Sequence, residues 1–261
     1  MRFIAGIVTL LSIALLAHPA AAQDAPPFPG EAFRAEFVTT WWQPDPSLTI
    51  QTGELTGAGI ADFDFAEEFS LDNRRFTEFR LVLKPAARHK LRFGYVPMRY
   101  DQAATLVRPI QFNGRTYSGG AALDIKWNLW RAGYEWDFMT RQRGFLGFIG
   151  ELKYNDIRGT VRSVGQSDYA ESRTPVPTVG IIGRAYVHRH IAISGELSGI
   201  KVPGDSFDVS LFDFDVSAIA SVSRHFGVQV GYRALRADYL VDEDSGDLAM
   251  RGIYLGLVSR F

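Results

Sequence analysis

The stretch Leu248–Phe261, LAMRGIYLGLVSRF, ends the chain on an aromatic residue and alternates backwards from it. Phe261, Leu257, Leu255 and Ile253 fall on one parity, and Arg260, Val258, Gly256, Tyr254 and Gly252 on the other. Successive side chains of a strand point to opposite faces, so this stretch has one greasy face and one face that mixes Gly, Tyr and Arg. A run of this kind predicts a strand with two different environments.

The same alternation recurs upstream. In Ala32–Trp42 the residues Phe33, Ala35, Phe37, Thr39 and Trp41 oppose Arg34, Glu36, Val38 and Thr40. In Trp130–Phe138 the residues Trp130, Ala132, Tyr134, Trp136 and Phe138 oppose Arg131, Gly133, Glu135 and Asp137. Eight steps of ~3.3 Å at a tilt of about 40° climb roughly 20 Å, close to the ~25 Å apolar band of a membrane barrel. Further runs begin at Arg75, Lys90, Gly144, Pro177, Ile191, Asp208 and Phe226, and together with the terminal strand they predict ten.

These features resemble the bacterial outer-membrane β-barrel proteins. In that family the last strand typically ends in Phe, with apolar residues at alternate positions before it; Ser259 stands where an aromatic is common. The resemblance implies that Phe261, Leu257, Leu255 and Ile253 form the address read by the barrel-assembly machinery. The expected fold is therefore all-β, an antiparallel up-and-down transmembrane β-barrel of about ten strands. Twelve would result if Ser47–Phe65 forms its own spanning hairpin, and eight if Pro177–Lys201 does not span.

The other end of the chain fits export. Met1-Arg2 is a short positive start, Phe3–Leu16 is apolar, and Ala20-Ala21-Ala22 supplies a small-residue cleavage pattern. Residues 1–22 therefore read as a cleaved signal peptide, residues 23–30 with their three prolines as a periplasmic tether, and residues 31–261 as the barrel. The chain has no Cys, which excludes a lipoprotein anchor, disulfides and thiolate metal sites. A net charge of -1 gives no reason to expect a nucleic-acid partner. Outer-membrane lipid and lipopolysaccharide are the expected surroundings, and a monomer the expected state.

The connections suggest an orientation. Pro85–Lys90, Thr140–Arg143, His188–His190 and Arg224-His225 are short and basic, as periplasmic turns would be. Gln43–Asn73 and Val241–Asp247 are acidic and read as outer loops, with an extension of the first strand through Ser47–Thr52 left open, and Asn113-Gly114 is a strong hairpin signal. Pro97 predicts a bulge or kink, because a closed barrel offers no free edge for it. Leu123, Ile125, Trp127 and Leu129 lie out of phase with the Trp130 run, which predicts either a bulge or the point where the strand leaves the bilayer.

The charged face supplies the candidate site. Arg34, Arg80, Arg92, Arg131, Lys153, Arg184 and Arg233 oppose Glu36, Glu78, Glu135, Asp137, Glu151, Glu196, Asp213 and Asp215. Isolated buried charge is very costly, so these groups must pair or stay hydrated. Pairing predicts an occluded lumen and a structural or surface-interaction protein; hydration predicts a narrow channel. Outer-membrane hydrolases are the enzymatic rival, and omptin-type proteases also use ten strands. Such sites generally need a His that activates water or a Ser. His89, His188, His190 and His225 all fall in expected periplasmic turns, so no catalytic residue, cofactor site or metal site is assigned. A soluble carrier would instead turn its greasy face inward, and the Trp-rich greasy face argues against that.

Overall fold

The structure is a computed structural model that describes residues 31–51, 63–64, 74–112, 115–203, 207–241 and 244–261. The expected signal peptide and tether, the Asn113-Gly114 turn, and much of both acidic loops lie outside the described residues.

Eleven strands follow in order: β1 (Ala35–Gln51), β2 (Phe63–Asp64), β3 (Phe76–Ala86), β4 (His89–Phe112), β5 (Arg115–Arg141), β6 (Gly144–Ser163), β7 (Gln166–His188), β8 (Ile191–Val202), β9 (Phe207–Ser221), β10 (Phe226–Val241) and β11 (Asp244–Arg260). All pairings are antiparallel, and β11 returns to β1, which closes the sheet. Ten strands make the barrel; β2 pairs only with Thr49 and Ile50 of β1. The wall thus has neither the eight nor the twelve strands left open by the sequence.

At the seam the amide of Phe261 donates to the carbonyl of Ala35 at 2.8 Å, and the carbonyl of Phe261 accepts from Arg34 and Ala35 at 2.7 and 3.0 Å. Closure therefore satisfies the backbone groups that an open sheet would leave bare. The start of β1, the end of β11 and the four short turns share one rim, which the barrel rule makes periplasmic.

Side-chain burial is inverted relative to a soluble barrel. Lys153 is fully buried, whereas Trp130 is 50% and Leu255 62% exposed. Phe37, Trp41, Phe93, Tyr134, Trp136, Phe148, Phe212 and Phe226 are exposed as well, and together with Ile253, Leu257 and Phe261 they form an outward apolar belt. Water would penalise such a belt and lipid does not. The alternation seen in the terminal strand is the local cause of this two-sided wall.

Several expectations change. Residues 43–51 are strand rather than loop, since β1 keeps pairing with β11 from Gln43↔Ile253 to Gln51↔Ser245. Strand β7 starts at Gln166 instead of near Pro177. No bulge marks Pro97: its register with β5 runs on unbroken opposite Asn128, and the ladder to β3 has already ended at Phe79↔Tyr95. A proline is tolerated where one of its two ladders has stopped.

The phase change before Trp130 also has no bulge behind it. The ladders of β5 with β4 and β6 are continuous there, so the backbone parity persists. Leu123, Trp127 and Leu129 simply point inward and are buried. It is the lumen, rather than the strand, that changes character at this height.

Strands β4 to β7 run past their neighbours. Beyond Tyr95 on one side and Val179 on the other, β4–β5, β5–β6 and β6–β7 pair only with each other. The result is a four-stranded extension above the outer rim. Leu106, Ile110, Tyr117, Ala121, Leu123 and Val161 cluster within it.

Deleting Phe261 removes three seam hydrogen bonds as well as the residue the family resemblance makes the assembly address. We expect the truncated chain to fold into vesicles or detergent more slowly and in lower yield, read as loss of the heat-modifiable gel band. An unchanged yield would count against both roles.

Candidate functional site

The lumen is filled by buried ion pairs to which each of the ten barrel strands contributes, in two linked tiers drawn from seven strands and a separate group from β1, β7 and β11 at the rim. In its middle tier, Glu78 of β3 and Asp213 of β9 face each other across the barrel. Arg233 of β10 bridges them, with Nη1 3.1 Å from Glu78 and Nη2 2.8 Å from Asp213. Arg131 of β5 pairs with Glu78 and lies 3.9 Å from Asp213. Lys153 of β6 donates to Asp213 at 2.7 Å and to the Ser198 hydroxyl at 3.0 Å. Arg80 reaches Glu78 at 3.3 Å and Asp215 at 3.2 Å.

A second tier lies towards the periplasm. Lys90 and Arg92 of β4 each approach Glu135 at 2.6 Å. Lys90 also meets Asp137 at 3.0 Å, and Arg92 meets Glu151 at 3.3 Å and Glu196 of β8. Glu196 is 3.9 Å from Arg131, which joins the two tiers. A third tier sits at the rim, where Glu36 of β1 lies between Arg184 of β7 at 3.1 Å and Arg260 of β11 at 2.6 Å. Glu31 takes a bond from Arg184 at 3.1 Å and one from the Tyr186 hydroxyl at 3.0 Å.

Two glycines make these approaches possible. A Cβ on Gly94 would stand 2.9 Å from Nε of Arg131, so the bare backbone leaves the path by which that guanidinium reaches Glu78. A Cβ on Gly231 would meet the Tyr254 hydroxyl at 2.6 Å. Tyr254 uses that room to donate to Asp215 at 2.5 Å.

The sequence placed most of this lattice on the correct face, with one error and several omissions. Arg34 is not part of it: the residue precedes β1 and its side chain is exposed, because the chain leaves the wall there. Lys90, read as part of a turn, is buried beside Arg92 two positions on, and Arg260 is equally buried. Without Arg34, and with these two added, eight cations meet eight carboxylates on the strands, and the rim adds Glu31, before β1, with its second partner Lys84. The parity that assigned Arg92 and Gly256 was sufficient to find Lys90 and Arg260. Tyr254 and Glu31 had no such signal.

Above the lattice the lumen is closed by apolar side chains. Trp42, Phe76, Val96, Met98, Tyr100, Trp127, Leu129, Leu211, Leu235, Met250 and Tyr254 form one buried cluster drawn from β1, β3, β4, β5, β9, β10 and β11. The Arg233 guanidinium lies 5.2 Å from the Trp42 ring centre, a cation–π contact between the charged and apolar layers. Phe76 and Tyr100 meet edge-on at 5.3 Å. The interior chemistry is that of buried, cross-linking ion pairs beneath an apolar cluster.

None of the four histidines among the described residues enters this interior. His89, His188, His190 and His225 are exposed at the short turns, and His89 pairs with the Tyr134 hydroxyl. Among the described residues no group of three His, Cys, Asp or Glu side chains could hold a metal ion.

The sequence matches no protein-family model and no curated protein. Solved structures do match the fold. The outer membrane protease OmpT from Escherichia coli aligns with a TM-score of 0.61 at 9% identity, covering 92% of this chain and 100% of that chain. The translocator domain of the autotransporter NalP from Neisseria meningitidis aligns at 0.47 and 10% identity, over 100% and 96%. The attachment invasion locus protein Ail of Yersinia pestis aligns at 0.36 and 10%, over 88% and 99%. With its outward apolar belt and closed antiparallel wall of ten strands, the protein has the fold of the bacterial outer-membrane β-barrels.

Removing one partner from a buried ion-pair group leaves uncompensated charge and costs about 3–5 kcal/mol. Asp213→Asn strips a carboxylate from Arg233, Lys153 and Arg131 together, so its thermal transition in detergent should fall sharply. Arg173→Gln breaks an exposed pair with Asp156, worth about 1 kcal/mol or less, and should barely move it. Equal shifts for the two variants would refute the stabilising role of the lattice.

Proposed function

We propose that the protein is a non-enzymatic outer-membrane anchor, with an occluded lumen, that presents its outer extension for contacts at the cell surface. The observation that carries this reading is the set of buried ion pairs drawn from all ten strands and capped by the apolar cluster. A conduit needs a hydrated path, and here Lys153, Arg233, Glu78 and Trp42 are all nearly or fully inaccessible. Ten strands also lie just above the eight-strand size that side chains can fill, and far below the 16–18 strands that leave an aqueous channel.

The extension supports the surface role. Its two outer strands each have long stretches with a partner on one side only, at Pro97–Phe112 of β4 and at 166–178 of β7. Strand edges of this kind present unpaired backbone groups. In β7 they are flanked by Asp168, Glu171 and Arg173, charges that discourage indiscriminate pairing. Within the same reading, the C-terminal residues Ile253, Leu255, Leu257 and Phe261 carry the assembly signal, lipopolysaccharide surrounds the outer rim, and the barrel works as a monomer.

In planar bilayers the unmodified protein should give no general porin conductance. Stable ion-selective openings whose selectivity shifts on neutralising Arg131, Glu135, Arg184 or Asp213 would replace this reading with a narrow channel. Trimming the β4–β5 hairpin between Ala103 and Ala121 should leave a heat-modifiable barrel, since the lattice lies below it; failure to fold would make the extension structural rather than presented. For the enzymatic alternative, substituting His89, His188, His190 and His225 together should leave hydrolysis of peptides and lipid A at the background shared with the unmodified protein. A His-dependent activity would overturn the proposal.

A further inference from the structure

The periplasmic rim carries charge that the rest of the molecule does not answer. Closure of ten strands divides this rim into five stations: the turns β3–β4, β5–β6, β7–β8 and β9–β10, and the seam between the start of β1 and the end of β11. The four turns hold Arg88, then Arg141 and Arg143, then Arg189, then Arg224, and every one of these side chains is exposed. No Asp or Glu occurs between Pro85 and His89, between Thr140 and Gly144, between His188 and His190, or between Val222 and His225. Among the described residues none of the five arginines has a carboxylate partner. The seam adds the exposed Arg34, whose backbone amide bonds Phe261.

Five exposed arginines elsewhere are paired. On the outer half, Arg99, Arg115, Arg158, Arg173 and Arg236 sit 2.6, 3.1, 2.7, 3.4 and 2.6 Å from carboxylate oxygens. The lumen balances eight cations with eight carboxylates. Arg75, Arg162 and Arg251 on the outer half are likewise exposed with no carboxylate partner among the described residues, but they stand singly, just before β3, on β6 and on β11; the periplasmic collar places unpaired guanidinium groups at every one of its turns.

The depth of the collar selects its partner. Arg189 lies two residues from the exposed Val187 and two from the exposed Ile191; Arg224 is flanked at the same spacing by the exposed Val222 and Phe226. Arg141 follows the exposed Phe138 by three residues, and Arg88 precedes the exposed Leu91 by three. At ~3.3 Å per residue these separations are about 7–10 Å from lipid-facing side chains. A headgroup layer is roughly 5–7 Å thick on each side of the hydrocarbon, so the guanidinium groups reach the phosphates while their aliphatic stems lie along the belt. The turns are too short to project further into the periplasm. Guanidinium matches phosphate oxygens in a two-bond geometry, which phosphatidylcholine, already carrying its own cation, satisfies less well than an anionic lipid.

We propose that this arginine collar binds the anionic phospholipid headgroups of the periplasmic leaflet and so enriches those lipids around the barrel. The test uses the full barrel reconstituted in vesicles of phosphatidylcholine with a minor fraction of phosphatidylglycerol, one or the other brominated on its chains. Trp41, Trp130 and Trp136 are exposed to lipid and report by quenching which lipid sits against the wall. Phosphatidylglycerol should be enriched about threefold or more over its bulk fraction at low salt, and the enrichment should vanish near ~1 M salt, where screening is strong. In the variant R88Q/R141Q/R143Q/R189Q/R224Q the enrichment should be lost, and in the matching Arg→Lys variant largely kept.

Equal quenching by the two lipids with the unmodified protein would overturn the proposal, as would enrichment that the Gln variant retains. If the fivefold variant does not fold, R189Q and R224Q are read singly, each expected to lower the enrichment in part; no change in either overturns it. Binding of the unmodified barrel to isolated peptidoglycan through the same arginines, without any lipid preference, would assign the collar to a polymer instead and likewise refute the lipid proposal.

Discussion

A charged side chain inside a ten-stranded barrel has no bulk water to turn to. Placing an ion in a medium of low polarity costs several kcal/mol even after relaxation, so each lumen charge is tolerable only beside its opposite. Lys153 illustrates the constraint: it is fully buried, and its ammonium sits between Asp213 and Ser198. The remaining lattice follows from the same demand applied to eight cations and eight carboxylates. Because the partners come from different strands, satisfying each charge also fixes the strands relative to one another.

The wall and the lattice depend on one another through parity. Alternation sends every second residue outward into lipid, so the inward set must be polar enough to avoid a second greasy face, or large enough to pack. This protein does both along the barrel axis. Towards the short turns charges are interleaved with the small apolar clusters of Val38, Ile219 and Val258 and of Phe145, Ile149 and Ile182, and at the other end Trp42, Trp127, Met250 and their neighbours form an apolar layer. Arg233 against Trp42, and Tyr254 against Asp215, stitch the two regimes together. An apolar cap above the ion pairs raises the cost of leaving any of them unpaired.

The two rims then differ in what they offer. Five outer arginines, Arg99, Arg115, Arg158, Arg173 and Arg236, are held by neighbouring carboxylates, and the extension of β4 to β7 presents strand edges. The opposite rim keeps its arginines free and close to the lipid belt. Buried ion pairs and the apolar cluster lie between the two rims.

How much of this could be read from the chain is itself a consequence of parity. A period of two is local, and it can be seen in any run such as Trp130–Phe138; strand type, lipid face, lumen face and the approximate strand count therefore followed from sequence alone. Arg131, Glu135, Asp137, Glu151, Lys153, Glu196, Asp213 and Arg233 were assigned to the lumen on that basis, and the structure keeps them there. Pairing is not local. Whether Arg233 meets Glu78, or Glu36 meets Arg260, depends on which strands closure makes neighbours across the barrel, at separations of 155 and 224 residues. The phase change at Leu129 shows the same limit: parity told that apolar residues had changed face, and only the unbroken ladders showed that the lumen had become apolar while the strand ran straight on. Strand identity is written in nearest neighbours, and the lumen ion pairs in contacts that exist only once β11 has found β1.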